Sequence, residues 1–92
     1  MKDRNKLIKM CQDKLLYLKH SYQYAFSENV DDSLFKERVQ NILPEIKNAL
    51  KRIERGDYGL CEITGEEIEP KRLLAVPWTR VSMLALEELE AS

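Results

Sequence analysis

Cys11, Cys61, His20 and the carboxylates at 66, 67 and 69 are the residues of this sequence whose types could do nucleophilic, metal or acid–base chemistry. Their spacing supports none of it. The two cysteines sit in unlike surroundings, so they make a poor disulfide framework and suit a reducing cytoplasm. His20 lies between Lys19 and Ser21 with no Cys or Asp fixed beside it, which reads as a surface histidine. The turn Thr64-Gly65-Glu66-Glu67 is too acidic to cradle a phosphate. Glu66, Glu67 and Glu69 read as a solvated face rather than a general acid–base pair. The sequence does not read as an enzyme.

The elements around these residues are helical. Leu7, Cys11, Leu15, Leu18, Tyr22 and Ala25 recur every three or four residues, which puts them on one stripe of a helix. Phe35, Val39, Ile42, Ile46, Ala49 and Ile53 do the same and form a heptad seam. The polar stretch at 27–33 between them is rich in turn and N-cap residues. Two apolar stripes joined by a short polar loop bury themselves by folding back as an antiparallel hairpin. A helix over 32–55 would be roughly 36 Å long. Pro44 inside it removes a backbone hydrogen bond and predicts a kink, either a local bend facing solvent or a functional hinge. Gly56 ends the helix where a left-handed cap is wanted, after the basic residues Lys51, Arg52 and Arg55.

After Gly56 the texture changes. Residues 57–68 are rich in turn and β-branched residues and read as a compact knuckle with at most short strands. Pro70 and Pro77 bracket residues 71–76, and an amphipathic helix is expected from about Val81 to Glu90. The expected architecture is mainly α: a long antiparallel helical hairpin over 1–56, with its tip at about 27–33, and a small globular cap over 57–92 that includes a C-terminal helix.

Composition bounds the function. Ninety-two residues, 34% charged and 43% hydrophobic, leave room for one compact soluble unit. No apolar stretch is long enough to span a bilayer, and the charged N-terminus leads into no signal-peptide pattern. A cytoplasmic protein is expected. The net charge of −1 conceals a basic first quarter and an acidic final third. An acidic knuckle makes sequence-specific binding to duplex DNA a poor fit, because phosphates demand clustered cations. A protein partner fits better.

The run Ala49-Leu50-Lys51-Arg52-Ile53-Glu54-Arg55-Gly56-Asp57-Tyr58-Gly59-Leu60-Cys61, followed by Arg72-Leu73-Leu74-Ala75-Val76-Pro77-Trp78-Thr79, resembles the junction between long helix and zinc knuckle in the DksA/TraR family. Zinc-bearing members hold the metal with two Cys-x-x-Cys pairs. At the corresponding positions this sequence has Cys61 with Thr64, then Ser82 with Ala85. One thiol of four cannot hold structural zinc, so a degenerate, metal-free knuckle and no cofactor are expected. Tyr58, Leu60, Ile63, Ile68, Leu73, Leu74, Val76, Trp78 and the last helix are the residues expected to close it by packing, with Cys61 read as a buried apolar residue and, as the alternative, a reactive thiol or vestigial ligand.

The resemblance implies a function. Such proteins insert the hairpin into the secondary channel of RNA polymerase and modulate initiation. Glu28, Asp31 and Ser33 stand where the family carries an acidic tip motif; read from the residues alone, Asp31 or Asp32 caps the second helix. Arg72 falls where the family has a basic residue that helps hold polymerase, and an ordinary surface arginine is the other reading. The resemblance also brings in ppGpp at the complex, although Glu45 occupies one of the implied lysine positions. The alternative is a structural hairpin adaptor that binds another protein or itself.

Overall fold

The computed structural model describes residues 2–27 and 33–91. Four helices follow in order: α1 (Lys2–Ser27), α2 (Ser33–Arg55), α3 (Pro70–Ala75) and α4 (Met83–Ala91). The expected stripes form a seam between α1 and α2. Cys11 and Leu15 are buried on α1, and Val39, Ile46 and Ala49 on α2, with Leu7, Leu18, Tyr22, Ile42 and Ile53 half-buried around them. The two helices run antiparallel. Tyr22, near the end of α1, meets Phe35, Val39 and Ile42 near the start of α2, while Gln12, Leu16 and Lys19 face Lys47, Leu50 and Lys51. At 1.5 Å per residue α1 is about 39 Å long, and it spans nearly the longest dimension of the molecule, 41 Å.

Pro44 lies exposed inside α2, and the helix continues through it. Gly56 ends α2 with φ at 86°. The amides of Gly56 and Asp57 both bond the Arg52 carbonyl at 3.0 Å, and only glycine enters that left-handed conformation without penalty.

The cap has little regular structure of its own. One isolated antiparallel bridge pairs Leu60 with Glu67, flanked by bonds from Cys61 N to Glu66 O at 2.8 Å and Ile68 N to Gly59 O at 2.7 Å. α3 was not expected: six residues between two prolines are too few for periodicity to declare a helix. α4 starts at Met83, two residues later than the sequence implied. Ser82 acts as its N-cap, its hydroxyl accepting from Ala85 N at 3.1 Å. Glu69, from across the cap, accepts from Met83 N at 3.1 Å.

A single apolar cluster joins hairpin and cap. Cys11, Leu15, Ile46 and Ala49 of the hairpin pack with Tyr58, Cys61, Ile68, Leu73 and Ala85 of the cap. This corrects the expectation that residues of the cap close it among themselves, because Leu60, Ile63 and Leu74 are exposed. The hairpin supplies the missing apolar surface. Among the described residues no helix is long and apolar enough to cross a membrane.

Candidate functional site

Two regions were singled out by the sequence: the hairpin tip and the knuckle. Ser33 is the first residue of α2 and is exposed. Glu28 and Asp31, the acidic residues of the expected tip, lie outside the described residues, as does Asp32.

The knuckle brings its four marked positions together through two tight turns. In the first, Gly65 N bonds Cys61 O at 2.8 Å, and Gly65 adopts φ 75° to close it. In the second, Ala85 N bonds Ser82 Oγ. The turns meet where Ser82 N donates to Cys61 Sγ at 3.4 Å. Burial pushes the Cys61 thiol up, but donors from the Ser82 amide, from the amide and hydroxyl of Thr64, and from the Ile63 amide outweigh it and bring the thiol down to about 6. The sequence-level view of Cys61 as a buried apolar residue is therefore half right: it is buried, and its sulfur accepts a hydrogen bond from the Ser82 amide of the second turn.

Three cations on the hairpin tie the knuckle down, and sequence reasoning missed all of them. Arg4 donates to Ile68 O at 3.1 Å and to Gly59 O at 2.9 Å, with Glu67 at 3.8 Å. Arg52, which the sequence suggested as a helix-end charge, is buried and donates to the carbonyls of Trp78 and Thr79, each at 3.4 Å. Lys14 donates to Leu74 O at 2.7 Å. Gly59 makes the Arg4 contact feasible: its φ is 86°, and a Cβ there would come within 2.8 Å of the Arg4 guanidinium. Tyr58 completes the set, donating its hydroxyl to Pro77 O at 2.7 Å. Burial, then the neighbouring Cys11 thiol, pushes that phenol above its ordinary range. Periodicity had placed Cys11, but carbonyl acceptors in an irregular loop leave no sequence signal.

Arg72 lies on α3, half-buried, and lines a cavity of about 380 Å³ with Glu69, Lys71, Ala75 and Met83. Its Nε is buried without a hydrogen-bond partner among the described residues. Glu69 is held below the usual carboxylate range by its own backbone amide first and by that of Met83. Glu45 is ion-paired with Arg80 at 3.2 Å. His20 is exposed.

Comparison with known proteins connects these features. Residues 56–88 match the family model described as the prokaryotic dksA/traR C4-type zinc finger. The structure of transcription factor DksA2 from Pseudomonas aeruginosa superimposes with a TM-score of 0.78 and 28% identity, covering 94% of this chain and 84% of that one. The RNA polymerase binding protein and transcriptional regulator Dks from Chlamydia trachomatis superimposes with a TM-score of 0.67 and 27% identity, covering 91% and 87%. An uncharacterized Aquifex aeolicus protein is 44% identical over 68 residues, 74% of this chain and 46% of that protein. The chain thus spans less than half the length of the curated relatives it matches.

The family model implies zinc, and the donor set tests it. One thiol, two hydroxyls and a methyl group stand at the four positions, and the thiol and the Ser82 hydroxyl already accept internal hydrogen bonds. Among the described residues no group of three or more His, Cys, Asp or Glu could hold a metal ion. Structural zinc sites use four thiolate or imidazole ligands, and these residues do not fit the ion. In its knuckle, and in the fold of hairpin and cap together, the chain is similar to DksA/TraR proteins, as a variant without cysteines at 64, 82 and 85.

Proposed function

We propose that this chain is a transcription regulator that binds RNA polymerase and carries no catalytic activity of its own. The observation behind this reading is the match across hairpin and cap together to the structure of an RNA polymerase binding protein and transcriptional regulator. In this reading the cap docks on the enzyme, with Arg72 at the contact. The hairpin enters the secondary channel, presents Glu28, Asp31 and Ser33 inward, and modulates initiation without reading DNA sequence. Carboxylates delivered to a channel that serves a metal-dependent active centre act by electrostatics and by competing for cationic groups. The seam of α1 and α2, with Leu15, Val39 and Ile46 buried in it, holds the two arms of the hairpin together.

ppGpp enters as a co-effector at the complex. Glu45 stands at one implied lysine position and is already paired with Arg80, so transcription assayed with and without the nucleotide decides whether it acts here. The cytoplasm is the compartment this function requires.

The test is co-purification with core RNA polymerase followed by transcription in vitro. Binding is expected. Asp31→Asn is expected to keep binding and lose most of the effect on transcription, and an unchanged effect would remove the tip from the mechanism. Failure of the wild-type chain to bind polymerase at all would leave the adaptor reading in its place.

A further inference from the structure

One side of the hairpin bears a groove lined by residues of α1 and α2 alone, with no residue of the cap. Lys19 of α1 and Lys47 and Lys51 of α2 line a cavity of about 350 Å³ whose floor includes Leu16 and Leu50. Glu54 is the one carboxylate in the lining. Among the described residues the ion pairs involve none of these three lysines. This is a concentration of unneutralised positive charge over apolar surface, on a chain whose net charge is −1.

The opposite chemistry lies on α4. Its sequence, MLALEELEA, carries three glutamates and no basic residue. Leu84, Glu87 and Glu88 are exposed, and at i, i+3 and i+4 they share one stripe. The ion pairs among the described residues include neither glutamate. α4 cannot turn this stripe onto its own hairpin while Ala85 is buried in the core and Glu69 holds Met83 N. The stripe faces outward and is available only to another molecule.

We infer that the groove between α1 and α2 receives α4 of a second copy of this chain. Charge complementarity carries the choice: three lysines meet two glutamates, with Leu84 against Leu16 and Leu50. Length agrees as well. The groove runs over residues 12–19 and 47–54, about 10 Å of helix, and α4, nine residues long, extends about 13 Å. Each chain has both halves of the contact, so a two-fold dimer makes it twice. This self-association does not rest on the polymerase reading and is tested without polymerase.

Sedimentation velocity and light scattering of the full chain over a concentration series, at low and at high ionic strength, provide the test. A concentration-dependent dimer is expected at low salt and should dissociate as salt screens the lysine–glutamate contacts. Lys47→Glu with Lys51→Glu, and separately Glu87→Lys with Glu88→Lys, should each weaken dimerisation by at least about tenfold. All four residues are exposed, and circular dichroism verifies that the variants fold. Mixing the two variants, each of which repels itself, should restore association. A chain that stays monomeric throughout overturns the inference and leaves the groove to a different acidic partner. So does a dimer indifferent to both charge reversals, or a mixture that fails to associate.

Discussion

In the hairpin, buried side chains recur every three or four residues and belong to two continuous helices, so order is local and repetitive. In the cap, a six-residue helix, a single β-bridge and several turns are held by donors that arrive from far along the chain. Arg4 reaches Gly59 and Ile68, Lys14 reaches Leu74, and Arg52 reaches Trp78 and Thr79. The contrast shows how a knuckle can persist without its metal. A zinc ion would draw four side chains to one point; here cationic hairpin side chains satisfy loop carbonyls, and the remaining thiol of the first turn accepts the Ser82 amide of the second. Each carbonyl would be costly if buried without a partner.

The sharpest way to break this comparison is through the shared core. Ile46→Ala should cost about 2–5 kcal/mol, because Ile46 is fully buried where hairpin and cap meet. Chemical denaturation followed by helical circular dichroism and by Trp78 fluorescence should give coincident transitions, shifted together. Separated transitions would mean that the two regions are held independently. Gly59→Ala should cost less, about 1–3 kcal/mol, since the new Cβ meets both an unfavourable φ and the Arg4 guanidinium. Its damage should appear in Trp78 fluorescence, with most helical signal retained.

Cys61 gives a pH signature. Its thiol titrates at about 6 in the folded chain against an ordinary 9.0, so the folded state favours the thiolate. That contribution is complete above pH 9, shrinks as pH falls, and is gone once pH is below about 6. The stability difference between the wild type and Cys61→Ser should therefore widen as pH rises from 6 to 9. A constant difference would mean that the sulfur acts only as an apolar group. The smallest effect is a null: chelator or added zinc should leave the melting temperature unchanged, whereas stripping a structural zinc typically removes about 10 kcal/mol or more. One equivalent of tightly bound zinc would overturn the account of the knuckle.

The amino-acid sequence by itself determined the hairpin. Val39, Ile46 and Ala49 could be placed on a buried face, and Gly56 at a helix end, because helical periodicity and glycine's access to positive φ are properties of neighbouring residues. The loss of three zinc ligands was legible only through the resemblance to the DksA/TraR family, which marks positions 61, 64, 82 and 85. What only the tertiary structure decided was how the knuckle closes and which faces remain open. Arg52 read as a helix-end charge and Arg4 drew no reading until loop carbonyls came within reach. Leu60, Ile63 and Leu74 looked like core until the hairpin took their place. Lys47 and Lys51 became one basic groove only when α1 brought Lys19 alongside. Such outcomes depend on residues distant in the chain and on irregular backbone, and neither leaves a periodic trace in the order of side chains.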